Sequence, residues 1–130
     1  MKICVTSTGQ DMDSAVDSRF GRCQFFVLVD EETMEYEAIP NSAANDASGA
    51  GIQAAHIVAD MDAGVVITGH TGPNATQMLT AAQIRIMTGA SGTVRDAALQ
   101  YKSGKLAEVS GPTAEAHAGA PDAGADGADR

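Results

Sequence analysis

The sequence predicts an α/β fold in which flanking helices pack on a mixed five-stranded sheet. Short apolar runs of strand length alternate with amphipathic helical patterns, and the order of elements is β-β-β-α-β-α-β-α. A tight turn at residues 30–33 joins two consecutive strands and indicates an antiparallel hairpin within the sheet. We therefore expect strands one, three, four and five to be parallel and strand two to run against them.

The first three strands are predicted from apolar runs in the amino-terminal third of the chain. Residues 2–6 form a continuous apolar run, which is typical of a strand that is buried on both faces. Residues 25–29 form the second strand, and residues 34–39 return with partial period-two alternation. The third strand exposes two glutamates and ends at Pro40, which suits the edge of a sheet.

Helices and strands alternate in the rest of the chain. We expect a helix, a strand, a helix and a strand, in that order, over residues 49–61, 64–68, 73–82 and 84–87. The last helix begins after Thr93, whose hydroxyl can cap it together with Asp96 in the capping-box position. It ends at Gly104, since glycine commonly follows the last helical turn.

Length and charge bound what the protein can do. Residues 1–109 suffice for one domain with a core, whereas residues 110–130 have no large apolar side chain and are expected to form a disordered acidic tail. The formal net charge of −9 argues against binding to nucleic acids and to membrane surfaces. The first strand begins at residue 2, which leaves no space for a secretory signal, and we expect a cytoplasmic protein.

The segment 68–75, Thr-Gly-His-Thr-Gly-Pro-Asn-Ala, is the most informative stretch of the sequence. It leads from a strand into a helix that has Pro73 in its first turn. Glycines let the backbone approach a ligand closely, and the N–H groups at a helix start favour an anion. His70 adds an imidazole, which is a common metal ligand. An alternative is that a neighbouring carboxylate holds this histidine.

The parallel strands should bring several loops to one edge of the sheet. These are the loops at residues 7–24, 41–48, 68–72 and 88–92. Ligands of open α/β sheets bind beyond the carboxyl ends of the strands, so we expect any binding site at this glycine-rich edge.

The first of these loops ends in Ser-Arg-Phe-Gly-Arg-Cys at residues 18–23. Arg19 and Arg22 could donate hydrogen bonds to an anion without losing their charge. Cys23, next to Arg22, could have a lowered pKa and serve as a thiolate ligand. In the alternative interpretation the arginines pair with nearby aspartates at positions 13 or 17, Phe20 fills the core, and Cys23 packs beside it.

Several enzyme classes lack their motifs in this sequence. A P-loop and a Gly-x-Ser-x-Gly elbow are both missing, and the strands at residues 3–6 and 65–68 carry no acid for a two-metal nuclease. Two cysteines are too few for a four-thiolate metal site within one chain. We therefore expect a protein that is not an enzyme, and we assign no catalytic residue.

Five segments together resemble one known family. They are residues 1–6, residues 18–23 ahead of the second strand, and residues 49–53, 68–75 and 92–97, in this order. Over roughly residues 1–107, the chain resembles the dinitrogenase iron–molybdenum cofactor biosynthesis family, which includes the orange proteins of sulfate-reducing bacteria.

The resemblance implies a ribonuclease-H-like fold without nuclease activity. It also implies binding, carrying or assembly of an anionic metal–sulfur cluster, either an iron–molybdenum cofactor precursor or a molybdenum–copper sulfide. Possible partners are a P-loop ATPase or a cluster-assembly protein. Two other functions remain open at this point: a binding module for a small phosphate-bearing molecule, and an interaction protein that docks on a P-loop ATPase.

The predicted site combines this resemblance with the loops described above. The expected cluster contacts are Arg19, Phe20, Gly21, Arg22, Asn41, Gly51, Gly69, Thr71, Gly72 and Asn74. The expected metal ligands are Cys23 and His70.

Overall fold

The computed structural model describes residues 1–44 and 49–109. The strands are β1 (Lys2–Ser7), β2 (Phe25–Asp30), β3 (Tyr36–Pro40), β4 (Val65–Ile67), β5 (Arg85–Thr88) and β6 (Ala107–Glu108). The helices are α1 (Ala50–Asp60), α2 (Pro73–Ala81) and α3 (Val94–Lys102). None of the helices in this part of the chain has the length and apolarity needed to span a bilayer. The predicted tail at residues 110–130 lies outside the described residues.

The strands form one mixed sheet in the order β3-β2-β1-β4-β5-β6. Strand β2 is antiparallel to both β1 and β3, while β1, β4 and β5 pair in parallel. The predicted strand directions are therefore confirmed, and β3 lies at an edge as expected.

The prediction of five strands is wrong, because β6 adds a sixth. Its two residues pair antiparallel with β5, with Met87 opposite Glu108 and Thr88 opposite Ala107. So short a run, interrupted by a charged residue, has no periodicity that the sequence could reveal. It is a strand only because the chain returns beside β5 after α3. The third strand also begins later than predicted, since Met34 has a positive φ of 63° and lies in the turn.

Alternation along the strands divides the core between the two faces of the sheet. On β1, Cys4 faces α1 and α2, whereas Ile3 and Val5 face α3. The apolar residues of β2 and β4 alternate in the same way. Helices α1 and α2 thus lie together on one face, with α3 on the other, and their starts reach the same edge of the sheet.

Candidate functional site

The loop at residues 18–23 lies against the loop at residues 68–72, as the sequence predicts. The Phe20 N–H donates to the His70 carbonyl over 3.2 Å, and the His70 N–H donates to the Ser18 carbonyl over 2.7 Å. Arg19 and His70 are partners in this parallel bridge. The two residues therefore lie side by side at the carboxyl edge of the sheet.

Glycines allow this loop to pack directly on two neighbours. A Cβ atom added to Gly69 would lie 2.6 Å from the Ser18 carbonyl oxygen. A Cβ atom added to Gly21 would lie 3.0 Å from the backbone nitrogen of Gly51, at the start of α1. The 18–23 loop is thus held between the 68–72 loop and α1 by contacts that involve backbone atoms.

The starts of α1 and α2 lie next to each other at this edge. Between them is an open cleft of about 230 Å³. It is lined by Gly49, Ala50, Gly51, Ile52, Gly72, Pro73, Asn74 and Ala75. The two helices come close because Gly51 and Ala75 are small; a Cβ at Gly51 would contact the Ala75 Cβ at 3.6 Å.

The electrostatics at these two helix starts differ from those of α3. Within the described residues, neither α1 nor α2 has a side-chain cap or an acidic residue in its first turn. Helix α3, in contrast, begins with a capping box in which Thr93 and Asp96 bind each other's backbone N–H groups, as predicted. The first N–H groups of a helix have no partner within that helix. The cleft therefore offers two sets of helix-start N–H dipoles to an anion.

Arg19 forms an ion pair with Asp17, which is one of the two alternatives that the sequence left open. The Arg19 Nε and Nη2 atoms lie 3.1 Å from the two Asp17 carboxylate oxygens. The Asp17 side chain is only 5% exposed, whereas that of Arg19 is 63% exposed. Burial acts to raise the pKa of Asp17, but hydrogen bonds and charge from Arg19 outweigh it, so the pKa lies below its usual value. Both groups stay charged at neutral pH, and Asp17 balances the Arg19 charge.

Arg22 is anchored between two loops and remains exposed. Its Nη1 atom donates to the Ala44 carbonyl oxygen over 3.0 Å. This bond ties the 18–23 loop to the 41–44 segment. The exposed surface formed by the 18–23 loop, the 68–72 loop and the starts of α1 and α2 is called the rim below, and the Arg22 guanidinium group belongs to it.

Asn41 is buried and braces the same loop. Its side-chain amide donates to the carbonyls of Gly21 (3.2 Å) and Cys23 (2.9 Å), and its oxygen accepts from the Ala43 N–H (3.1 Å). The side chain is therefore occupied by the backbone of the 18–23 loop. The structure therefore gives Asn41 a positioning role in this loop, and its direct contact with a ligand stays a prediction.

Phe20 and Cys23 point into the core, so two expectations from the sequence need correction. Phe20 is 2% exposed, and its ring centroid lies 5.9 Å from that of Phe26. Its side chain packs in the core and does not line the rim. Burial and the nearby Asp17 charge raise the pKa of Cys23 to about 12. The expected lowering of this pKa is wrong, because Arg22 points to the rim while the thiol lies inside and donates to the Phe20 carbonyl.

The remaining predicted residues fall into two groups. Gly51, Gly72 and Asn74 line the cleft between the helix starts, and His70 is exposed at the rim. Gly21 and Gly69 serve the close packing of the loops, and Thr71 is buried with its hydroxyl 2.8 Å from that of Thr76. The sequence gives only a weak sign that Asp17 helps to build the rim, which is that an acidic residue precedes Arg19 by two positions.

The described residues contain no group of three or more histidine, cysteine, aspartate or glutamate side chains that could hold a metal ion. Among the described residues, the rim presents N–H groups, the guanidinium groups of Arg19 and Arg22, and the imidazole of His70. This set suits an anion that is held mainly by hydrogen bonds and charge.

A family profile described as "dinitrogenase iron-molybdenum cofactor" matches residues 1–104. The chain belongs to this family. A search of curated proteins gives no match.

Solved structures of similar proteins share the fold. The apo form of the orange protein from Desulfovibrio gigas is 40% identical, with a TM-score of 0.83, and the match covers 86% of this chain and 95% of that one. A candidate NifB protein from Thermotoga is 28% identical, with a TM-score of 0.76 and coverages of 91% and 98%. A candidate dinitrogenase from Methanocaldococcus jannaschii is 17% identical, with a TM-score of 0.64 and coverages of 86% and 97%, and supports the fold alone. The mixed α/β fold is thus that of the orange protein.

The contact between Gly69 and Ser18 can be tested with two alanine substitutions in one loop. Gly69→Ala places a Cβ 2.6 Å from backbone and side-chain atoms of Ser18, whereas Gly72→Ala meets nothing within 4 Å. We expect Gly69→Ala to lower the free energy of unfolding by about 1–3 kcal/mol and Gly72→Ala to change it by less than about 1 kcal/mol. Urea unfolding followed by circular dichroism measures both. Equal stabilities would show that the two loops do not pack as described.

The raised pKa of Cys23 predicts a low reactivity of its thiol and a free energy of unfolding that depends on pH. Because the pKa is raised from 9.0 to about 12, burial of the neutral thiol contributes stability in full below pH 9, and this contribution is lost as the pH rises towards 12. At pH 8 we expect iodoacetamide to modify Cys23 slowly in the native protein and rapidly in urea, as read by mass spectrometry. Rapid modification under native conditions would contradict the burial of this thiol.

Proposed function

We propose that this protein binds an anionic metal–sulfur cluster non-catalytically, as a carrier or an assembly scaffold, at the carboxyl edge of its sheet. The observation that carries the proposal is the convergence of the starts of α1 and α2, which have no side-chain cap within the described residues, with the 18–23 loop, which holds Arg19 and Arg22. Family membership supports the cluster as the class of ligand. The cluster is cargo in this proposal, and no chemical step is assigned to the protein.

The negative net charge of the chain determines which contacts can hold an anionic cluster. The chain carries a formal net charge of −9, so a negative ligand is repelled at long range and must be held by local groups. Helix-start N–H groups and guanidinium groups provide such contacts over short distances. Arg19 contributes through its exposed N–H groups, although Asp17 balances its charge. We assign a contribution to Arg22 as well, whose exposed guanidinium group belongs to the same loop.

The two predicted metal ligands have different access to a cluster at the rim. His70 is exposed next to Arg19 and can reach a metal ion there. Cys23 is 0% exposed, so its thiol can reach a metal only if the loop opens. We propose direct coordination by His70. Coordination by Cys23 stays a prediction, and the proposed mode of binding does not depend on it.

The finer assignments belong to the same proposal. We propose a cluster that contains molybdenum with copper or iron, a ribonuclease-H-like classification of the fold, a cytoplasmic location, and a domain of residues 1–109 followed by a separate tail. Delivery to a P-loop ATPase or a cluster-assembly protein would complete the carrier role. The helix-start cleft would also accept a phosphate group, so a phosphate-bearing ligand is the competing outcome of the experiment below.

Reconstitution tests the proposal directly. We expect the protein to develop visible absorption with tetrathiomolybdate and a copper salt under anaerobic conditions, and to retain molybdenum after desalting. Arg22→Gln should hold the cluster roughly 10- to 150-fold more weakly, since a hydrogen bond from a charged group contributes about 1.5–3 kcal/mol. Arg85→Gln is the matched control. It removes the same charge from the first residue of β5, at the amino end of the parallel strands and away from the candidate site.

Each outcome of this comparison has a meaning. Equal weakening in both variants would show that only net charge matters and would contradict the assigned site. Thermal stabilisation by inorganic phosphate or nucleotides, without any by thiomolybdate, would favour the phosphate-bearing ligand.

The ligand assignment needs a separate pair of variants. We expect His70→Ala to shift the absorption maximum of the bound cluster and to lower the metal-to-protein ratio, because an imidazole ligand is lost. Cys23→Ala should leave both values unchanged. The reverse pattern would show that the loop opens and that Cys23, not His70, coordinates the metal.

A further inference from the structure

Within the described residues, no strand pairs with the outer edge of β3, which runs from the hairpin turn to Pro40. In the part of the chain that the structure describes, β3 pairs with β2 alone and is the last strand on its side of the sheet. Lys2, at the start of β1, lies opposite Asp30, so the hairpin turn between β2 and β3 is at the amino end of β1. The rim of the site is at the carboxyl end of β1. A protein bound at the hairpin end of β3 would therefore leave the rim accessible.

The register shows which backbone groups this edge presents. The Asp30 N–H donates to the Glu35 carbonyl over 2.8 Å, so these two residues form a hydrogen-bonded pair. Such pairs alternate with non-bonded ones along an antiparallel ladder. Tyr36 and Ala38 consequently direct their N–H and C=O groups away from β2. Pro40 occupies the next outward position, where the N–H that proline lacks is not needed.

A small cleft next to this edge has the chemistry of a site for a cationic side chain. It has a volume of about 180 Å³ and is lined by Lys2, Leu28, Asp30, Glu35, Tyr36 and Glu37. The lining is mainly polar, since Leu28 at its base is only 7% exposed. Three carboxylates and the ammonium group of Lys2 line it, so the cleft keeps a net negative charge. Hydrogen bonds from the backbones of Thr33 and Glu32 lower the pKa of Asp30, so this group is charged at neutral pH.

Charge also determines which occupant fits. Residues 30–37 contain five carboxylates, Asp30, Glu31, Glu32, Glu35 and Glu37, and no basic residue. A second copy of β3 would bring like charges opposite each other, which is unfavourable. A nucleic acid or an anionic membrane would be repelled for the same reason. An extended polypeptide segment that carries lysine or arginine at alternate positions is complementary to both the backbone edge and the cleft.

We propose that the open edge of β3 is a docking site for an extended basic segment of a partner protein, which adds as a strand and inserts a lysine or arginine side chain into the cleft of Leu28, Glu35 and Glu37. Main-chain hydrogen bonds to Tyr36 and Ala38 would provide the pairing. The side chain in the cleft would set the preference for a basic partner. The proposed docking surface is separate from the rim. The test of this proposal therefore does not depend on whether the protein binds a cluster.

The experiment uses the full-length protein and a defined peptide probe. The probe is a ten-residue peptide in which lysine alternates with valine and threonine, and binding is followed by backbone NMR chemical shifts. We expect shifts concentrated at residues 35–39 and at Leu28. A peptide of the same composition with N-methylated backbone positions keeps the charge but cannot pair as a strand. It should bind at least tenfold more weakly.

Two matched protein variants separate the cleft from general electrostatics. Glu35→Gln with Glu37→Gln should weaken binding at least tenfold. Glu31→Gln with Glu32→Gln removes the same charge at the turn, outside the cleft lining, and should weaken it less than threefold. The proposal is overturned if the peptide does not bind, if the N-methylated peptide binds equally well, or if both double variants weaken binding equally.

Discussion

The candidate site depends on one packing constraint, which is the insertion of the 18–23 loop between the 68–72 loop and the start of α1. Backbone hydrogen bonds join it to His70, and the spaces at Gly69 and Gly21 are too small for a side chain without displacement of neighbours. From inside, Asn41 binds two carbonyls of the same loop, and Phe20 anchors it in the core. A loop held on three sides presents Arg19 and Arg22 without first having to be ordered, which lowers the entropic cost of binding a ligand.

The protein combines a strongly acidic body with a rim that favours anions. These features are compatible because they act over different distances. Net charge acts at long range and is screened by salt, whereas helix-start N–H groups and guanidinium groups act within hydrogen-bonding distance. Asp17 illustrates the balance: it orients the Arg19 side chain and cancels its charge, leaving exposed N–H groups that are directional donors. The hairpin at the other end of the sheet has five carboxylates and no basic residue within residues 30–37, and the proposed docking of a basic segment depends on that charge.

Much of the fold could be predicted because it rests on periodic patterns. Each of three features is encoded by residues that are close together in the sequence: the doubly buried strands, the capping box of α3 and the antiparallel hairpin. The structure confirms all three. The strand β6 left no such signal, because its two residues pair with β5 only after α3 has returned the chain to that edge. The proximity of the 18–23 and 68–72 loops was also predictable, since both follow from the direction of the parallel strands.

Residue types and their order along the chain thus determined the α/β class, the edge of the sheet at which the candidate loops meet, and the family. Only the tertiary structure decided which side chains of the irregular loops face the rim and which face the core. Phe20, Cys23 and Asn41 are buried although they neighbour exposed residues, since a loop has no repeating geometry from which burial can be read. The pKa of Cys23 follows the same rule: burial of the thiol raises it, and proximity to Arg22 in sequence does not lower it.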